Sequence, residues 1–187
     1  MSKTLKIILG IVAGLVVLCA VIGIGGTFLV GRMAGNAFST DKTQITTTAG
    51  NIATHTLPAG YEPAFSMDIL GVKMAMFGND ANNGIIGMMA MPAGAGDADV
   101  ERSMSQAMDR QTGNQKVTWN KSETKPITIN GKEVSMKFST GTDQKGNAMR
   151  QISGAFTGEK GLVGLFIIGA DATWDQAAVD TFLASLK

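Results

Sequence analysis

Cysteine, histidine and tyrosine each occur once in the 187 residues, proline four times, and charged residues make up only 17%. Cys19, the one cysteine, lies inside an apolar run, so no internal disulfide can staple the chain and its core must stand alone. His55, the one histidine, cannot build a zinc site without cysteine partners. Its setting, Thr54-His55-Thr56, reads as an exposed strand residue, and no nucleophile-elbow motif supports a Ser-His-Asp arrangement around it. The formal net charge is +1. Lys3, Lys6 and Arg32 flank the apolar run, and the remainder is slightly acidic, so no basic patch for nucleic acid is present. A Walker-type phosphate loop is also absent.

What the chain does have begins with Ile7 to Val30, a run without a charged residue. At about 1.5 Å per residue such a run reaches roughly 36 Å as a helix, enough to cross a hydrocarbon core of about 30 Å. The expectation is a single-pass signal-anchor, with residues 7–30 in the lipid bilayer of the cytoplasmic (inner) membrane. Lys3 and Lys6 precede the run and Arg32 alone follows closely, which puts the N-terminus inside and the C-terminal domain outside, as a periplasmic domain. Gly10 and Gly14 form a GxxxG through which a homodimer could pack. A competing reading is a secreted protein with a signal peptide cleaved near Gly23, Gly25 or Gly26, although the apolar core of such peptides is usually shorter.

Residues 1–31 are thus expected to be a cytoplasmic stub and transmembrane helix, and 32–50 a flexible polar linker containing Thr46-Thr47-Thr48. Residues 51–187 are the expected extracytoplasmic domain. Strand-like pieces there run over 51–57, 65–70, 72–77, 84–91, 116–121, 125–129, 133–139, 148–156 and 162–169, separated by Gly, Asn and Pro clusters. Asn130-Gly131 is the clearest tight turn, because both residues tolerate positive φ. Leu162 to Ile168 is apolar throughout, as a central strand covered on both faces would be. Two segments change period. In 97–111, Val100, Met104 and Met108 recur every four residues, and near the end Trp174, Ala178, Phe182 and Leu186 form a stripe opened by a Thr173/Gln176 capping box. The expected class is α+β: an N-terminal transmembrane helix, then an antiparallel sheet of about six or more strands packed by two helices.

Carboxylates crowd the expected helix starts, Asp97, Asp99 and Glu101 on one and Asp171, Asp175 and Asp180 on the other, where they serve the helix dipole. The stretch 78–84, with Asn79, Asp80, Asn82 and Asn83, lacks the closing glutamate of a calcium loop and reads as a turn. Methionine is the unusual abundance, with 12 in the chain. Met74 and Met76 share one face of a strand, as do Met89 and Met91 of the next, so these four thioethers are candidate Cu(I) ligands as well as core fillers. No other cofactor is implied.

Three features together carry a family likeness: Leu57-Pro58-Ala59-Gly60-Tyr61, the single helix before the later strands, and the ending Gly161-Leu162-Val163-Gly164-Leu165-Phe166-Ile167 followed by Trp174 and Phe182-Leu183-Ala184-Ser185-Leu186. Over about residues 50–187 the chain resembles the PsbP-like family. The resemblance implies a central antiparallel sheet between helices, and a role among accessory and assembly proteins that are mostly not enzymes. No binding residue of that family carries over to a position here. The functional expectation is therefore a membrane-anchored binding or assembly module without catalytic activity, working with a protein partner. A methionine-rich periplasmic Cu(I)-binding protein is the alternative.

Overall fold

The computed structural model describes residues 37–69, 71–90 and 117–187. The chain enters through a two-residue strand β1 (Phe38–Ser39) and a helix α1 (Lys42–Ile52). A meander follows: β2 (Glu62–Ile69), β3 (Val72–Asn79) and β4 (Gly84–Ala90). A second meander comprises β5 (Thr118–Ile129), β6 (Lys132–Thr142), β7 (Ala148–Gly158) and β8 (Gly161–Ala170). A 3-10 turn (Asp171–Thr173) leads into α2 (Gln176–Ser185). All eight strands form one antiparallel sheet in the order β1-β2-β3-β4-β8-β7-β6-β5, so the two meanders meet along β4 and β8.

Strand alternation sorts the side chains into two faces. On the first, Ala75, Phe77, Ile86, Met88, Ile152, Phe156, Val163, Leu165 and Ile167 pack with Ile45, Ala49 and Ile52 of α1 and Val179, Phe182 and Leu183 of α2. This is the main core. The hairpin β5–β6 joins it at its tip. β6 pairs with β7 only from Lys137 to Thr142, whereas the β5–β6 ladder continues to Ile129 and Lys132. The unpaired tip brings Ile129 and Met136 into the main core. Gly154 makes room for it, since a Cβ there would lie 2.1 Å from Met136 Sδ. The tip turn is the expected one, with φ of 49° at Asn130 and 72° at Gly131.

The expected class, α+β with an N-terminal transmembrane helix, is corrected to a predominantly β domain. The strand content is higher than the sequence suggested because 116–121 and 125–129 belong to one continuous strand of 12 residues, and β1 adds an edge. The described helices have only 11 and 10 residues. None of them is long and apolar enough to cross a membrane. The segments 7–30 and 97–111, on which the other helices are expected, lie outside the described residues, as do Gly10 and Gly14.

The stretch 32–50, expected to be a polar linker, is helical from Lys42 onward. Asp41 starts that helix by accepting from the Gln44 N–H at 2.9 Å, and Ile45, Thr48, Ala49 and Ile52 are buried at the spacing of one helix face. Thr46 and Thr47, on the exposed side of the helix, donate their hydroxyls to the carbonyls four residues back, at 2.8 and 2.9 Å. The cap of α2 also differs from the expected Thr173/Gln176 box. Asp175 accepts from the Ala178 N–H, and Gln176 instead accepts from the Trp174 indole N–H at 2.9 Å.

Candidate functional site

The second sheet face carries a separate apolar cluster of Phe65, Met67, Met74, Met76 and Ile85, with Phe38, Ile69, Val72, Met89 and Phe166 packed against it. Neither α1 nor α2 contributes to this cluster. Register places its side chains in rows across the strands. One row is Phe38, Met67, Met74 and Met89. The next is Phe65, Met76, Gly87, Phe166, Ser153, Lys137 and Thr124. A third is Ile85, Ile168, Gln151, Ser139 and Ser122. The face is thus apolar over β1–β4 and polar over β5–β7, with β8 at the seam.

The polar half is unusual for its burial. Ser139, Gln151 and Ser153 are all buried. The hydroxyls of Ser122 and Ser139 share a hydrogen bond of 2.8 Å, and Gln151 Nε2 donates to Ser153 Oγ at 3.4 Å. Gln151 Oε1 has no partner among the described residues, although the residue is only 6% exposed. An unmet buried acceptor costs about 1–3 kcal/mol relative to one with a donor. It is therefore a place where a bound group with an N–H or O–H would be favoured.

Of the four candidate Cu(I) ligands, Met74, Met76 and Met89 come together on this face, and Met91 lies outside the described residues. Met67 is added by register, as the neighbour of Met74 on β2. Its signal in the sequence is the alternation Phe65-x-Met67-x-Ile69, which points three apolar side chains the same way. Gln151 and the two serines leave no such signal, because a buried polar strand residue looks like an exposed one in the sequence.

Of the remaining candidates, Asp97, Asp99 and Glu101 lie outside the described residues, and the others take structural roles. His55 does not lie in a strand; its Nδ1 is 2.8 Å from the Ala53 carbonyl and its ring is 5.6 Å from that of Phe77. Asp171 accepts from Arg150, Asp175 caps α2, and Asp180 accepts from Gln176 Nε2 at 2.7 Å. Asn79 and Asn82 bond the N–H groups of Ala81 and Gly84, as a turn requires. No group of three or more His, Cys, Asp or Glu side chains suited to a metal ion occurs among the described residues.

Tyr61 stands at the same turn, on the first face. A Cβ on Gly84 would lie 2.3 Å from its hydroxyl, so the absent side chain is what admits the phenol. Burial pushes the Tyr61 pKa up, and the hydrogen bond with the Asn82 side chain pulls the other way without cancelling it. With the folded value above the unfolded one, the group's contribution to stability is complete below pH of about 10 and declines above it. Because the chain holds one tyrosine, absorbance near 295 nm isolates it. The folded protein is expected to titrate at higher pH than the urea-unfolded chain, and coincident curves would show a solvated phenol.

No protein-family model matches the chain, and no curated protein matches it.

Proposed function

We propose that this domain is a non-catalytic binding module that holds a small amphipathic ligand against the second face of its sheet. The apolar body of the ligand lies along the Met67, Met74, Met76 and Phe166 side, and its hydrogen-bond donor meets Gln151 Oε1. The observation that carries this reading is the orphaned acceptor itself, buried in a row of hydroxyls next to an apolar surface. Such a pairing of broad apolar contact with a few fixed polar groups is the usual chemistry of a small-molecule site.

A thermal-shift series on the full chain tests the reading, with decanamide as the donor-bearing probe and decane-1-sulfonate as a donor-free one of equal chain length. Decanamide is expected to stabilise the protein, by about 2.7 kcal/mol at a hundredfold excess over its dissociation constant, and the sulfonate much less. Gln151→Leu should remove the decanamide effect while raising the stability of the unliganded protein by about 1 kcal/mol, because the unmet acceptor is gone. Equal shifts from both probes, or decanamide stabilisation that survives in Gln151→Leu, would sink the assignment of this site. Chemical turnover of a bound probe would refute the non-catalytic class.

A further inference from the structure

We propose that the thioethers of Met67, Met74 and Met89 form a Cu(I)-binding site on the apolar half of the second sheet face. These residues sit side by side on β2, β3 and β4: Met67 is the cross-strand partner of Met74, and Met74 of Met89. Directly opposed residues on one face have Cβ atoms about 4.5–5.5 Å apart. Three flexible thioether arms starting at that spacing can bring their sulfurs onto one small ion. The ligand set is neutral and soft, which selects Cu(I) over the harder divalent cations.

The distribution of methionine supports a role beyond filling space. Four of the eleven residues in this cluster are methionine, against two of the twenty-six in and around the main core. If methionine served only to fill gaps, the larger core with its two helices and hairpin tip would need it more. The row also has a closed end and an accessible one. At the β1 end the rings of Phe38 and Phe65 stack with centroids 6.0 Å apart, whereas Met89 at the β4 end is only partly buried. An ion would reach the row from the Met89 side. The proposal shares Met67 and Met74 with the apolar side of the amphipathic-ligand reading but not its polar end, since Gln151 lies two strands away on β7, so Gln151→Leu should leave Cu(I) binding unchanged and the two readings fail separately.

The test is a titration of the full chain with Cu(I) under anaerobic conditions, in competition with a chromogenic Cu(I) chelator and in a non-ionic detergent. A Cys19→Ser background keeps that thiol from contributing. The chain is expected to take one equivalent of Cu(I), with an X-ray absorption spectrum fitted by sulfur alone in the first shell. Each of Met67→Leu, Met74→Leu and Met89→Leu keeps side-chain volume. Each should weaken binding by more than about tenfold, the lower range for losing even an outer-shell group at a metal site. Met88→Leu, on the opposite face, should leave it unchanged. Failure to withdraw Cu(I) from the chelator, a nitrogen- or oxygen-dominated first shell, or an equal loss in Met88→Leu would each overturn the site. Circular dichroism of the variants confirms that the fold is retained.

Discussion

Phe77→Ala is expected to lower the free energy of unfolding by about 3–5 kcal/mol, the range for removing a fully buried aromatic side chain. Phe77 is 1% exposed and lies on β3 in the main core, where α1 seats on the first sheet face. Among the described residues the aromatic ring beside it is that of His55, 5.6 Å away and tilted by 56°. His55 belongs to the irregular segment after α1 and cannot swing inward without breaking its contact with the Ala53 carbonyl. His55 is thus not free to fill the space, and a cavity cost is expected on top of the lost transfer energy. Domains of this kind hold about 5–15 kcal/mol in all, so the variant should be marginal at room temperature. Urea unfolding measures it, with the midpoint falling and the slope unchanged. A loss below about 1 kcal/mol would mean that the site collapses freely and that α1 does not rest on this ring.

Gly141→Ala is expected to cost about 3 kcal/mol, the upper part of the range for overpacking. A Cβ at Gly141 would lie 2.2 Å from the Thr118 carbonyl oxygen and 2.9 Å from Trp119 Cα. Both neighbours are main chain, so no rotamer change relieves the clash and the start of β5 must move. The register is already irregular there, between Trp119 and Lys121. β5 is an outer strand paired only with β6, so the displacement should show as lost amide protection in β5 and β6 but not in β2 to β4. Gly154→Ala is the comparison. Its nearest neighbour is the end of the flexible Met136 side chain at 2.1 Å, and the closest main-chain atom is the Ser135 oxygen at 3.2 Å. If Gly141→Ala proved no costlier than Gly154→Ala, the main-chain argument would fail.

The parts of the fold that were legible in the sequence are those written in local pattern. The apolar run of β8, the Asn130-Gly131 turn and the stripe of Phe182 and Leu186 all name their own conformation. α1 was not legible, because Thr46, Thr47 and Thr48 favour strands and loops, and only in the folded chain do the hydroxyls of Thr46 and Thr47 bond the preceding turn. The continuity of β5 was hidden for a different reason. Its exposed middle, Asn120 to Pro126, carries charge and a proline, features that protect an outer strand from pairing with other chains but read as a break. The candidate site lay further still from the sequence. The Met67–Met74–Met89 row and the burial of Gln151 depend on which strand lies beside which, and strand order is a property of the whole chain. Met74, Met76 and Met89 could be named from composition and alternation alone; Met67 and Gln151 needed the register.

The order of strands in the sheet also bears on how the chain assembles. β1 to β4 and β5 to β8 are each runs of neighbours in sequence, so both halves can zip from their own turns. The ladder between β4 and β8 is different, joining residues as far apart as Ile85 and Ile168. Closing so long a loop is an entropic barrier that local hairpins do not face. Substitutions that weaken the β4–β8 ladder are therefore expected to slow folding more than substitutions at the hairpin turns, as stopped-flow refolding would measure. The absence of a side chain at Gly87, directly across from Phe166, acts in that ladder: a Cβ there would meet the ring at 2.2 Å and hinder the docking of one half on the other.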